Sequence, residues 1–208
     1  PTGRVHTESE LRAAIDWSRK SKSVVVSDEC YLEFGDSVKP TSILHYTGGD
    51  NTNILTVLSL SKRSSMAGYR AAFIVGDPVL IARILEVRKH AGMMVPLPVQ
   101  HAMIAALSDE KHVTEQRARY NARRATLTPA LTAAGFRIEH SEAGLYIWAT
   151  RNENCWDSVS WLAERGVIAT PGIFYGEGGA SHVRIALTAT DAQIAEAAER
   201  INSKVGAP

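Results

Sequence analysis

The sequence predicts an α/β segment followed by a smaller α+β segment, and three observations carry the prediction. Short β-branched apolar runs at Val24–Val26, Ile54–Leu58 and Ala71–Val75 alternate with stretches of helical periodicity. Acidic, aromatic and hydroxyl residues follow the first two runs directly, at the strand ends where α/β sheets bind ligands. Past about Ser108 the composition changes to a long polar, glycine-free stretch and then to short strands and helices. We therefore expect two domains, residues 1–108 and 109–208.

Taken in order, Pro1-Thr2-Gly3 reads as a turn, and Thr7 with Glu10 reads as a capping box opening a helix to about Lys22. The Val24–Val26 run has the character of a strand buried on both faces of a parallel sheet. Residues 35–53 are rich in Gly, Asp, Pro, Ser and Asn, and read as a loop. Strands at Ile54–Leu58 and Ala71–Val75 flank a Ser/Gly-rich turn, and helices follow at Val79–His90 and from Pro98 through Leu107. The stretch Lys111–Ala134 is helical, with Pro129 expected to kink or restart it. The remainder reads as strands Phe136–His140 and Leu145–Ala149, helix Cys155–Arg165, strands Val167–Thr170 and His182–Leu187, and helix Asp191–Lys204.

Bulk properties exclude several classes of function. The chain has 208 residues, 45% hydrophobic and 22% charged, with a formal net charge of +1, so neither nucleic acid nor an anionic membrane is an expected partner. The basic cluster Arg117–Arg124 reads as a solvated helix face. Cys30 and Cys155 lie far apart and in no metal-ligand spacing, so we expect no metal and no disulfide framework. No apolar run is long enough to span a bilayer, and the start of the chain lacks a secretory-signal pattern. A cytoplasmic location is expected.

The chemistry concentrates between Thr56 and Arg70. A strand ends in Ser59-Leu60-Ser61, Lys62 follows at once, and a turn leads to Gly68 and Arg70. A lysine amine attacks a carbonyl only when deprotonated, and a nearby cation or desolvation favours that form. Arg70 supplies both a cation and a fork for phosphate oxygens, and Ser59 and Ser61 add hydroxyl donors. Lys62 is therefore the candidate Schiff-base lysine for pyridoxal 5'-phosphate, although a single loop lysine is ordinarily a surface group. Asp28, just past the first strand, is by itself a turn former; beneath a pyridine nitrogen it would keep that nitrogen protonated. Tyr31 is either an amphipathic core-edge residue or a phenol donor to the cofactor.

Asp28-x-x-Tyr31, Ser59-x-Ser61-Lys62 and Gly68-x-Arg70 in this order resemble the fold-type I pyridoxal phosphate aminotransferases of class I/II. The resemblance implies the C-terminal part of that family's large domain, a mixed, mostly parallel sheet with helices, plus a small α+β domain. It implies that Asp28 pairs with the pyridine nitrogen, Tyr31 with the ring oxygen, and Ser59, Ser61 and Arg70 with the phosphate. Lys62 would both bond the cofactor and move the substrate proton. His182-Val183-Arg184-Ile185 is similar to the strand whose arginine binds the substrate carboxylate, Gly144 and Tyr146 to a strand lining the same pocket, and Pro171–Gly179 to the mobile loop before it. Expected partners are an amino acid, a 2-oxo acid and a second subunit in a homodimer.

Pro1-Thr2-Gly3 resembles the tail of the family's Asn-Pro-Thr-Gly turn, so the family pattern extends beyond this sequence at its start. Without that remainder, a half-built cofactor site and exposed apolar sheet surface are expected. Arg88 through Gln100 is similar to actinobacterial N-succinyldiaminopimelate aminotransferases of lysine biosynthesis. A dicarboxylic substrate would want further cations, for which Arg63, Lys89 and His90 are candidates, each ordinarily solvated. Three other readings compete. Ser59-x-x-Lys62 matches a hydrolase nucleophile motif, but its companions Ser-Asp-Asn and Lys-Thr-Gly are missing from the sequence. A pyridoxal phosphate β-lyase, decarboxylase or acyltransferase would share Asp28, Lys62 and Arg70. A transcriptional regulator with an aminotransferase-like domain would need a DNA-binding segment upstream.

Overall fold

In the computed structural model, which describes residues 1–203, contacts divide the chain into two compact units. One comprises Val5–Phe34 and Lys39–Thr114; the other comprises Pro1–Arg4, Gly35–Val38 and the chain from Glu115 onward.

The first unit opens as its capping signal dictates. Thr7 Oγ1 accepts from Glu10 N at 3.3 Å while the Glu10 carboxylate accepts from Thr7 N at 2.8 Å, and helix α1 (Glu8–Ser21) follows. Its inward face puts Ile15 against Ile43 and Ile54, the centre of this unit's apolar cluster. Strand β1 (Val25–Asp28) runs parallel to β2 (Ile54–Ser59), with Asp28 opposite Val57. β2 runs antiparallel to β3 (Ala72–Gly76), with Ser59 opposite Ala72, so the sheet is mixed in the order β1-β2-β3.

The expectation that Val24–Val26 is buried on both faces is not met. Val24, just before β1, and Val26 within it are 45% and 56% exposed while Val25 between them is half-buried, so the two faces are covered unequally. Val75 of β3, 39% exposed, lies in register with Thr56 and Ser27 and so on the opposite face from Val26. Between β2 and β3 lies the four-residue helix α2 (Leu60–Arg63).

Helix α3 (Pro78–His90) starts on Asp77, whose carboxylate accepts from Val79 N at 2.8 Å, Leu80 N at 3.3 Å and Asn53 N at 2.8 Å. These hydrogen bonds, the Asn53 one foremost, hold the Asp77 carboxyl below the usual carboxylate range. A group whose folded pKa is lowered stabilises the fold above its unfolded pKa and loses that contribution as pH falls through the folded one. Asp77→Ala is therefore expected to lower the melting temperature by roughly 3 °C at pH 7, with the gap to wild type narrowing as pH falls through the acidic range, as thermal unfolding at several pH values would measure. Helix α4 (Leu97–Leu107) follows, and then α5 (Lys111–Ala133), which contains Pro129 and does not restart there.

In the second unit β4 (Arg137–Ile138), β5 (Tyr146–Thr150), β6 (Thr170–Pro171) and β7 (His182–Ala186) form an antiparallel sheet in the order β4-β5-β7-β6. Helices α6 (Cys155–Ala163) and α7 (Asp191–Asn202) belong to the same unit, whose core contains Leu131, Phe136, Ile147, Leu162, Val183 and Leu187. The predicted strand Val167–Thr170 shrinks to Thr170–Pro171: Ile168 is 93% exposed, and Pro171 has no N–H for the ladder. The predicted helix end at Lys204 lies outside the described residues. Gly3, at φ +71°, accepts Ala143 N on its carbonyl, and a Cβ there would meet Ala143 O at 2.7 Å, so this turn admits only glycine.

Candidate active site

The strand register gathers most of the predicted residues at one edge of the first sheet. Asp28 ends β1 opposite Val57, Ser59 ends β2 opposite Ala72, Lys62 lies three residues past Ser59, and Arg70 lies two before Ala72. Asp28 is exposed, and one of its carboxylate oxygens accepts from Cys30 N at 3.1 Å. Tyr31 follows in the next turn, partly exposed. Burial foremost, with the Asp28 carboxylate adding to it, pushes the Cys30 thiol up to about 12, so Cys30 is a neutral thiol and not a nucleophile.

A single helical turn is too short to hold itself, because nucleation costs more than one turn returns. On its upstream side α2 is fixed by Ser59, whose Oγ accepts from Ser61 N at 3.1 Å and lies 3.4 Å from Ala71 O, and by Leu60, which is fully buried and donates to Ala71 O at 3.0 Å. Ser59 thus serves the backbone as an N-cap in addition to facing the site edge. Lys62 is partly buried on this turn, with Ser61 beside it. Arg70 adopts a left-handed conformation (φ 53°), is exposed, and donates from Nη1 to Ala67 O at 2.8 Å, leaving the rest of its fork unspent on that bond. Arg70 also borders a cleft of about 560 Å³ walled by Phe73, Ile81, Leu85 and Met103.

One group next to Lys62 is not where the sequence places it. Arg63 was a candidate substrate cation, ordinarily solvated, yet it is only 9% exposed. Its guanidinium pairs with Glu110, donates to Ala106 O at 2.9 Å, and lies 3.9 Å from Glu33. Ser64 Oγ is 3.0 Å from His112 Nε2, and His112 Nδ1 is 2.7 Å from Asp109 Oδ2. This hydrogen bond foremost, then the Lys111 N–H, holds the Asp109 carboxyl below its usual range. The Ser–His–Asp spacing matches a hydrolytic relay, but the N–H groups of Ser64, Ser65 and Met66 all bond to carbonyls of Leu60 or Lys62. With those donors committed, the chain of bonds reads as a structural tie and not as a nucleophile with an oxyanion site. Lys89 and His90 are solvated on α3, near Glu86.

In the second unit Arg184 extends from β7 with no carboxylate paired to it among the described residues, and its Nε is buried without a hydrogen-bond partner. Its guanidinium lies over two rings, 4.0 Å from the centroid of Tyr146 and 5.0 Å from that of Tyr175. A cation held between aromatic faces with an unmet donor is prepared for an acidic ligand. Tyr175 rides on the Gly172–Tyr175 turn, where Gly172 packs so close to Gly179 that a Cβ would meet its carbonyl oxygen at 2.3 Å. Nothing in the local sequence signals the Tyr175 contact, which the fold of the loop creates.

The family model for aminotransferase class I and II matches residues 1–201. The chain belongs to that family. Similar proteins include the probable aminotransferase Rv1178 of Mycobacterium tuberculosis (57% identity; 97% of this chain and 49% of the relative). Another is the Streptomyces rimosus 4-dedimethylamino-4-oxo-anhydrotetracycline transaminase OxyQ (55% identity; 97% and 56%). A solved aminotransferase from Neisseria meningitidis superposes with a TM-score of 0.86 at 33% identity, covering 97% of this chain and 54% of that one. Relatives near 34% identity are named LL-diaminopimelate aminotransferases, as in Oleidesulfovibrio alaskensis (98% of this chain and 54% of the relative). The chain thus spans about half the length of the curated relatives it matches.

Class I and II aminotransferases use pyridoxal 5'-phosphate, and the donor set at the sheet edge fits that group. A lysine amine, a carboxylate with one oxygen spare, and an exposed guanidinium with unspent N–H groups meet the needs of its aldehyde, pyridine nitrogen and phosphate. Among the described residues there is no cluster suited to a metal ion, and no helix is long and apolar enough to cross a membrane.

Proposed function

We propose that the protein containing this chain is a pyridoxal phosphate-dependent aminotransferase that moves an amino group between a carboxylated amino acid and a 2-oxo acid. The observation that carries the reading is Lys62 at the same sheet edge as Asp28 and Arg70, in a chain matched by the aminotransferase model from residue 1 to 201. The bound cofactor supplies an electron sink for the carbon being deprotonated. Lys62 is the residue that would hold the cofactor through its aldehyde, and its amine is the base that would take the proton from the substrate α-carbon. Asp28 would pair with the pyridine nitrogen and favour its protonated form. Tyr31 donates to the ring oxygen. Arg70 and Ser61 hold the phosphate, and Ser59 joins them with the hydroxyl capacity its cap leaves over. Arg184 forks onto the substrate carboxylate.

The finer reading is an acylated or free diaminopimelate donor with 2-oxoglutarate as acceptor, as in lysine biosynthesis, acting in a cytoplasmic homodimer. The likeness of Arg88–Gln100 and the names of the relatives near 34% identity support it. The pairing of Arg63 with Glu110 weighs on the other side, since it removes one cation from substrate binding. A second reading, another pyridoxal phosphate reaction type, shares the same residues. Stoichiometric 2-oxo acid formation together with reversible conversion of the cofactor to its amine form, in a half-reaction with N-succinyl-LL-diaminopimelate, is the expected result. Ammonia or carbon dioxide released with the cofactor left as the aldehyde would overturn transamination; a 2-oxo acid formed only from other amino acids would overturn the substrate.

A further inference from the structure

We propose that Arg63, Ser64, His112 and Asp109 are positioning residues that fix where the Lys62 amine sits, by latching the single turn that carries it to the junction between α4 and α5. The proposal rests on the reading of Lys62 as the cofactor-bonding lysine.

A lysine amine sits at the end of a flexible four-carbon stem, so its reach is set by the backbone from which it starts. Upstream, that backbone is held by the Ser59 cap and buried Leu60; downstream, the two residues after Lys62 both reach the segment 106–112. Arg63 is tied to Glu110 and to Ala106 O, with Glu33 at 3.9 Å on its other side. Ser64 is tied through His112 to Asp109. Arg63 is largely buried whereas Glu110 is largely exposed, so losing the guanidinium costs the turn its ties to Glu110 and Ala106 O and leaves the Glu110 carboxylate in water. The relay beside it is more exposed and contributes mainly direction. Both ties pull on the same turn from one side. This arrangement fixes a lysine amine and supplies no nucleophile of its own.

The test uses the natural full-length protein, stripped of cofactor and mixed with pyridoxal phosphate. The Lys62 nitrogen adds to the aldehyde carbon and the aldehyde oxygen leaves as water; borohydride then delivers hydride to the carbon–nitrogen double bond and freezes the product for peptide mass analysis. Arg63→Met is expected to slow attachment about tenfold and Ser64→Ala about threefold, while Ser64→Thr, which keeps the hydroxyl, stays at the wild-type rate. kcat should fall by similar factors with KM for the amino acid unchanged. Thr7→Ala, which uncaps α1, should lower the melting temperature without changing the attachment rate. Should Arg63→Met not fold, the Ser64 pair decides. Lower melting temperatures with unchanged attachment and kcat in Ser64→Ala would overturn the latch alone. Wild-type label on another lysine would overturn the Lys62 reading and the latch with it.

Discussion

Replacing Lys62 with alanine or with arginine in the natural full-length protein is expected to lower amino-group transfer by about a thousandfold or more. Alanine removes the nitrogen that bonds the aldehyde and carries the proton. Arginine keeps the charge on the same one-turn helix but stays protonated at every accessible pH, so it restores neither role. Cofactor retention should fall less than activity, because Asp28 and Arg70 lie at the same sheet edge and keep their hydrogen-bonding capacity. Absorbance of dialysed protein measures retention, and the half-reaction measures transfer. A Lys62→Ala protein with more than about a tenth of wild-type transfer would contradict the assignment.

The second large effect concerns Arg184. Its guanidinium lies over Tyr146 and Tyr175, its Nε is buried without a partner, and no carboxylate pairs with it among the described residues. An acid arriving there gains a charge-assisted, two-pronged hydrogen bond at a site already partly desolvated. Arg184→Ala is expected to lower kcat/KM for the amino acid by about 10²–10³, equivalent to roughly 3–4 kcal/mol. Arg184→Lys should recover only a small part of this, because a point charge does not reproduce the fork. The same variants should barely change turnover of the corresponding amine without a carboxylate. Equal losses with both substrates would assign Arg184 a structural role.

Much of this site is legible in sequence because its parts are local. Asp28, Ser59 and Lys62 each follow a short β-branched run, and a strand that ends in polar residues places them at the sheet edge without knowledge of the whole fold. What is not legible depends on distant partners. Arg63 looks like any solvated cation beside a loop lysine, since Glu110 lies 47 residues on and no local pattern joins them. Ser64 and His112 are separated by 48 residues, and the Tyr175 contact with Arg184 exists only once the Gly172–Gly179 turn has closed. The Val24–Val26 run has the composition of a covered strand, whereas exposure depends on what packs over each face of it. Pro129 was given its usual helix-breaking weight, yet α5 continues through it, with Leu127, Ala130 and Leu131 all buried around the proline.

The central claim is the covalent one, and the natural full-length protein loaded with pyridoxal phosphate tests it directly. Borohydride reduction, proteolysis and mass analysis should place the phosphopyridoxyl label on the peptide that contains Ser59-Leu60-Ser61-Lys62, with the mass shift on Lys62. A label on Lys89, Lys111 or any other lysine, with Lys62 unmodified, would contradict the account.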